Sequence, residues 1–468
     1  MSKVKTDVVV LGAGPGGYAA AFYAADLGFN VILVEKEPAL GGVCLNRGCI
    51  PSKALLHATE VYHGGQHARD MGIHFGDAKL DLDQLRTWKN GVVERLGGGV
   101  RQLAAARKVT VISGRGYFEE SQLLRVETAD GQQFIEYDKA IIATGSRPAM
   151  PRAFDLGSPR VMTSTEALDI QQVPETLLVI GGGYIGMELG IVYARLGASV
   201  SVVEAAGQLL SGADPDLVRP VEKMANTMFK SIQKSVKVKE MATKSKKIEV
   251  VLDDNGSLTT HAFDSVLVSV GRAPNTDGLG LENTGVKCND QGYVITQDYQ
   301  QTDDPNILAI GDCAGGLLLA HKASKEARIA VEALSVRQPT TAFTVPAVVF
   351  TDPELAWVGL TETEAKAEKR AVKVAKFPWT ASGRAMTLGR TDGLTKLIVE
   401  PDTHRVLGVG IVGPHAGDLI SEAAMAIEMQ ATVEDIAHIV HPHPTLSESM
   451  LEAAEVFLGH CTHVASAR

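Results

Sequence analysis

The chain has 468 residues, 45% hydrophobic and 21% charged, which predicts about three domains and excludes disorder, collagen-like repeats and coiled coil. Lys+Arg 45 against Asp+Glu 55 gives a net charge of −10, which argues against nucleic acid or an anionic membrane as the main partner. No apolar run approaches the roughly 20 residues of a membrane span, and Val8 to Leu11 is too short for a signal-peptide core, so a cytoplasmic protein is expected.

In chain order, residues 7–11 read as an apolar strand, Gly12-Ala-Gly14-Pro-Gly-Gly17 as a turn, 18–27 as a helix and 31–35 as a second strand. Residues 50–110 are mostly helical in pattern. Several short strands follow to about 147, closing on Ala140-Ile-Ile-Ala-Thr144-Gly145-Ser146. The opening pattern then recurs as strand 177–180, turn Gly181-Gly-Gly183-Tyr-Ile-Gly186, helix 187–196 and strand 200–204. Glu35 follows Gly17 at the same offset at which Glu204 follows Gly186. One such glycine fingerprint is weak evidence. Two, each after a strand and each with an acid in register, predict two dinucleotide sites. Lys230 to Lys247 reads as a solvated surface hairpin in preference to a docking patch. After Pro339 the strands 345–350, 395–400 and 406–412 and the helix 417–429 read as a separate α+β domain, with a loose tail from His460.

Glycines in a βαβ turn let the backbone approach a pyrophosphate at the positive end of the helix. Glu35 and Glu204 can each accept from an adenosine ribose. An acid at 204 repels a 2′-phosphate, and Ala205-Ala206-Gly207 offers no Arg to bind one, so the second site is expected to prefer NAD to NADP.

Cys44 and Cys49 form a C-x4-C pair. A metal site needs further ligands that neither flank offers, which leaves two buried small residues or a redox disulfide. Five residues of ideal helix separate Cα atoms by roughly 8–9 Å, whereas a disulfide tolerates less than about 7 Å. The segment is therefore expected on a distorted helix or loop around Gly48 and Pro51. In His441-Pro-His443-Pro-Thr-Leu-Ser-Glu448 the prolines stiffen the chain about His443, and Ser447 is expected to cap the following helix. A carboxylate beside an imidazole is the base-plus-orienter arrangement of a triad. The His443–Pro444 peptide is expected to be cis.

Gly42-Val-Cys44-Leu-Asn-Arg-Gly-Cys49-Ile-Pro-Ser-Lys53, both fingerprints, Gly311-Asp312 and His441 to Glu448 resemble the pyridine nucleotide–disulfide oxidoreductases over nearly the whole chain. The resemblance implies an α/β fold with two Rossmann-like dinucleotide-binding domains, for FAD and for NAD, plus a C-terminal α+β dimer-interface domain. The expected boundaries are 1–147 (first FAD part), 148–272 (NAD), 273–345 (return segment of the FAD domain) and 346–468 (interface). It implies that FAD is held by Gly12, Gly14, Gly17, Glu35, Thr144, Gly145, Gly311 and Asp312, with Lys53 nearby and paired with Glu188. NAD is assigned Gly181, Gly183, Gly186, Glu188, Glu204, Gly271 and Arg272. Cys44 and Cys49 are implied as the redox pair, and His443 with Glu448 as base and orienter. The base is implied to serve the disulfide of the other subunit of a homodimer.

Departures from other branches narrow the expected substrate. Ser52-Lys53 stands where glutathione-type reductases carry Lys-Lys, and Cys461 is single where mercuric and thioredoxin reductases add a C-terminal pair. Both cysteines of the redox motif are present, unlike in the soluble transhydrogenases. The expected reaction is oxidation of dihydrolipoyl groups with reduction of NAD, the lipoyl group being brought by an acyltransferase or lipoyl carrier protein of a 2-oxo acid dehydrogenase or glycine cleavage complex. The alternatives are an NAD(P)H-dependent reductase of another disulfide or a metal, and a non-catalytic flavoprotein. Tyr184 is either a gate at the second nucleotide or a packing residue.

Overall fold

The computed structural model describes residues 3–74, 76, 79–335 and 342–465. The chain divides into two compact units, one of residues 1–150, 163–171 and 271–342, the other of residues 151–162, 172–270 and 343–468.

In the first unit the strand Lys3–Leu11 lies between Val31–Glu35 and Gly131–Ile142, parallel to both. Thr110–Ser113 extends the sheet beyond Val31–Glu35, and Ile307–Ala309 joins in parallel beside Ala140 to Ile142. An antiparallel meander, Arg115–Glu120 and Leu123–Thr128, completes the far side. Both faces of the sheet are covered. Val8, Val10, Leu33, Ile141 and Leu308 pack into one apolar core, and Val9, Leu11, Ile32, Val34 and Ile142 into the other. That is why these strands read as continuous apolar runs and show no alternation. The helices Pro15–Asp26, Cys49–His67, Leu82–Ala106 and Ala320–Leu334 complete the unit.

The second unit repeats the motif. Its parallel sheet runs in the order Ser231–Lys234, Ser199–Glu204, Thr176–Ile180, Ser265–Val268, Val161–Met162. The expected hairpin over Lys230 to Lys247 is found only in part: Ser231–Lys234 is the edge strand of the parallel sheet, and the antiparallel hairpin is Lys237–Lys244 with Lys247–Asp254, extended by Ser257–Phe263. The C-terminal part is a five-stranded antiparallel sheet in the order Ala347–Val349, Leu355–Gly359, Val406–Val412, Leu394–Val399, Lys373–Pro378. The helices Ala416–Glu428 and Glu448–Leu458 pack on it around Trp379, Phe377, Ile420 and Met450.

One strand breaks its apolar pattern. Lys396 has a side chain only 1% exposed, and its Nζ lies 2.9 Å from Asp214, 3.0 Å from Asp216 and 2.8 Å from Glu362. A buried ammonium needs such partners. The C-terminal tail is a correction: it is tied down through Val464. Gly459, in the left-handed region at φ 83°, ends the last helix. The chain then turns back, so that Cys461 Sγ lies 2.9 Å and His463 Nδ1 2.5 Å from the carboxylate of Glu452, and Val464 packs on the core. The expected tail also includes residues 466–468, which lie outside the described residues. Among the described residues no helix is long and apolar enough to cross a membrane.

Candidate active site

The first fingerprint is a set of close backbone approaches. A Cβ on Gly17 would lie 1.8 Å from the Gly12 carbonyl oxygen, and Gly12 itself sits at φ 102° against Ala143. The helix that follows has no side-chain cap and no acid in its first turn, which leaves its positive end for an anion. Glu35 is buried. Its two carboxylate oxygens accept from the amides of Ala13 at 2.7 Å and Glu37 at 2.9 Å, and each keeps a second lone pair for a ligand hydroxyl.

The cysteine segment is docked on this turn. Gly42, at φ 61°, has room for no side chain because a Cβ there would lie 2.5 Å from Gly14 Cα. The Gly41 amide donates to the Ala13 carbonyl at 2.8 Å. The short helix Gly42–Arg47 stops at Gly48 and the helix Cys49–His67 begins beyond it, which is the expected distortion. It brings the two sulfurs to 2.7 Å. The neighbouring Cys49 sulfur and burial push the Cys44 thiol well up, while the nearby Lys53 ammonium opposes them. Cys49 is the exposed partner of the pair.

Asp312 is held by two side chains that also bond to each other. Ser146 Oγ donates to its carboxylate, Arg272 Nε lies 3.8 Å away, and the same Nε donates to Ser146 Oγ at 2.7 Å. Asn275 ties the preceding loop by donating to the Thr144 carbonyl at 3.0 Å and, through its backbone amide, to Gly145 at 2.9 Å. Gly271 and Arg272, grouped from the sequence with the second nucleotide, thus belong to the first unit, where Arg272–Pro274 pairs with Ser146–Pro148. The Gly311 amide donates to Glu326 at 2.7 Å, and Lys322 pairs with the same carboxylate at 2.7 Å. Ser146, Asn275 and Glu326 were not singled out in the sequence. The acid–lysine spacing of four on one helix was a signal for Glu326; Ser146 and Asn275 had none.

The second fingerprint reproduces the first. Gly186 abuts the Gly181 carbonyl oxygen at 2.1 Å for a would-be Cβ, while a Cβ on Gly183 would meet nothing within 4 Å. Glu204 accepts from the amides of Gly182 at 2.6 Å and Ala206 at 2.7 Å. Glu188 is buried in the helix Tyr184–Arg195, and its carboxylate accepts from the Phe350 amide at 3.0 Å. Tyr184 opens that helix and is exposed. Two uncapped helix ends, each with an acid whose oxygens retain free lone pairs, fit two dinucleotides.

In the C-terminal domain His443 Nδ1 lies 2.9 Å from Glu448. The imidazole is 72% exposed, and its Nε2 has no hydrogen-bond partner among the described residues. The His443–Pro444 peptide is cis, as expected. Ser447 is a correction: its hydroxyl makes no capping bond and lies 2.9 Å from Thr445 Oγ1. The Thr445 amide donates to Glu448 at 2.7 Å in its place. Burial pushes the Glu448 carboxyl up, but the Thr445 amide and the His443 ring outweigh it and hold the group below its usual range.

Two dinucleotide turns, a facing cysteine pair and an imidazole–carboxylate pair define a two-nucleotide redox protein of the α/β class. The family model for pyridine nucleotide-disulphide oxidoreductases matches residues 6–327, and that for the family's dimerisation domain residues 345–454. A dihydrolipoyl dehydrogenase of Haemophilus influenzae is 44% identical over 100% of this chain and 98% of its own. One from Halobacterium salinarum is 45% identical over 98% and 97%. Among solved structures, LpdA of Mycobacterium tuberculosis superposes with a TM-score of 0.90 at 28% identity, covering 97% of this chain and 99% of its own. The HOCl-induced flavoprotein disulfide reductase RclA of Escherichia coli, as its Cu(II) complex, gives 0.87 at 28%, with the same coverage. The chain belongs to the pyridine nucleotide-disulphide oxidoreductase family.

Proposed function

We propose that the protein is a dihydrolipoyl dehydrogenase, oxidising protein-bound dihydrolipoyl groups and reducing NAD. The reading is carried by the Cys44–Cys49 pair, seated on the first fingerprint with its sulfurs 2.7 Å apart. FAD belongs at Gly12, Gly14, Gly17, Glu35, Thr144, Gly145, Gly311 and Asp312, with Lys53 beside it. NAD belongs at Gly181, Gly183, Gly186 and Glu204. The bound FAD supplies a two-electron carrier between the dithiol and NAD.

The protein's own residues handle the sulfur chemistry. His443 Nε2 removes a proton from the substrate dithiol, because the thiolate is the attacking species. That thiolate attacks Cys44 Sγ, the Cys44–Cys49 bond breaks, and Cys49 leaves as thiolate. The second substrate sulfur then attacks the first, the lipoyl disulfide closes, and Cys44 leaves as thiolate and takes up the proton that the second sulfur gives up. Two electrons have moved from substrate to cysteine pair. Glu448 holds the ring by Nδ1 and stabilises the imidazolium, as the acid of a triad does.

The active unit is a homodimer in which His443 and Glu448 of one subunit serve the cysteine pair of the other. It works in the cytoplasm beside the lipoyl-bearing acyltransferase or carrier of a multienzyme complex. The test is anaerobic addition of dihydrolipoamide to the flavin-loaded protein, followed by NAD. Bleaching of the flavin, then its return as NADH appears, is the expected result. Flavin that bleaches with NADH and ignores dihydrolipoamide would overturn the substrate and favour a reductase of another disulfide.

A further inference from the structure

Two residues before the base lies a second imidazole–carboxylate pair that the reaction as described does not use. His441 Nε2 lies 2.8 Å from the carboxylate of Glu422, on the helix Ala416–Glu428, and its Nδ1 lies 3.0 Å from the Ile439 carbonyl. The ring is 4% exposed, against 72% for His443.

The bonding partners decide what each ring can do. A carbonyl oxygen only accepts, so His441 Nδ1 carries a hydrogen. Nε2 faces the Glu422 carboxylate at 2.8 Å, which occupies that nitrogen as well. Both nitrogens of His441 are therefore engaged, and the ring has no lone pair open to a substrate thiol. His443 is the reverse, with Nδ1 engaged by Glu448 and Nε2 open.

We propose that His441, clamped between Glu422 and the Ile439 carbonyl, is a positioning residue for His443. The clamp ties the segment carrying the base to the domain's packed helix at one end. The Thr445 amide on Glu448 ties it at the other, 2.7 Å long. Between the two ties lie Pro442, His443 and Pro444, whose proline rings restrict the backbone further. The direction in which His443 Nε2 points is thus set by two carboxylates on two helices, Glu422 and Glu448. A small misplacement of a reacting group costs up to about 10²-fold in rate.

This inference rests on the proposed dithiol reaction, and its test separates the two. The flavin-loaded dimer would be compared with His441→Ala, Glu422→Ala and Glu422→Gln in two assays. One is dihydrolipoamide oxidation; the other is NADH-driven reduction of ferricyanide, which needs no base at the cysteine pair. Clamp loss in either alanine variant should lower kcat with dihydrolipoamide by roughly 10- to 100-fold, with little change in KM for NAD and ferricyanide reduction intact. Glu422→Gln can donate to a neutral Nε2 and should recover most of the rate. Alanine variants within twofold of the parent in both assays would overturn the proposal. So would a parallel loss in both assays that Glu422→Gln fails to rescue. A parent protein inactive with dihydrolipoamide but active with ferricyanide would sink the substrate reading. The same variants, assayed with whichever disulfide the parent reduces, would then still decide the clamp.

Discussion

Gly17 and Gly183 occupy fingerprints of the same form, yet they do different jobs. Gly17 is where helix and strand backbones touch, and a methyl group there meets the Gly12 oxygen at 1.8 Å. Gly17→Ala should purify with little or no flavin, read as the ratio of 450 nm to 280 nm absorbance. Gly183 faces open space at a helix end. Gly183→Ala should keep its flavin and its fold but raise KM for NAD, because the added methyl stands where the pyrophosphate approaches. At the other end of the chain, His443→Gln should slow the dithiol half-reaction on the order of 10²- to 10⁴-fold, the range for a general base. Stopped-flow reduction by dihydrolipoamide measures it, and an unchanged rate would remove His443 from its role. Sequence alone could name the His–Pro–His segment and choose His443. The physical reason for that choice, one imidazole with a free nitrogen and one without, lies in Glu422 and the Ile439 carbonyl, which no local pattern connects.

At the scale of elements, the strand Leu394–Val399 carries the cost of one charge in its middle. Removing the Lys396 ammonium leaves Asp214, Asp216 and Glu362 facing one another. Lys396→Met should therefore lower stability by about 3–5 kcal/mol, as for breaking a buried pair, measured by denaturant unfolding. The three acids also set a pH dependence. Burial raises Asp214 and Asp216, but Lys396, with Thr363 at one and Lys376 at the other, outweighs it and leaves both lowered. Lys366 and Lys396 draw Glu362 down to about 2 from 4.5. Folded-state values below the unfolded ones contribute stability above about pH 4.5 that is lost as pH falls toward 2. The acid limb of the unfolding curve should flatten in Glu362→Gln. The strand itself was legible to within a residue from its apolar pattern. Its lysine was not, because Asp214 lies 182 positions away in sequence. The break at Gly48 was legible because sulfur geometry demands it whatever surrounds it. The cap at Ser447 was misread because Glu448 takes the Thr445 amide and leaves the hydroxyl to a neighbouring threonine.

At the scale of the molecule, the proposed reaction shares each site between two subunits, the base of one serving the cysteine pair of the other. A Cys44→Ser subunit and a His443→Gln subunit each lack one half of the site. Coexpressed, they should regain about a quarter of wild-type turnover, since about half of randomly formed dimers are mixed and each mixed dimer holds one complete site. Purified with two different tags, the mixed dimer should be active where either parent is not. Recovery absent from a verified mixed dimer would mean that base and cysteines act within one subunit.

The chain passes between its two units five times, leaving the first at 150 and closing it only with residues 271–342. Synthesis runs in the other currency, time. The cysteines leave the ribosome within the first fifty residues, but Ile307–Ala309, which completes their sheet, and Asp312 come some 250 residues later. At about 5–20 residues per second, the nascent chain carries two unshielded thiols for tens of seconds before flavin has a finished cradle. A stalled chain ending before residue 307 should bind no flavin and should react readily with a thiol reagent. In the full chain, once loaded, Cys44 and Cys49 should be protected, leaving exposed Cys288 to react. The protein's redox pair therefore depends, while it is being made, on surroundings that keep thiols reduced.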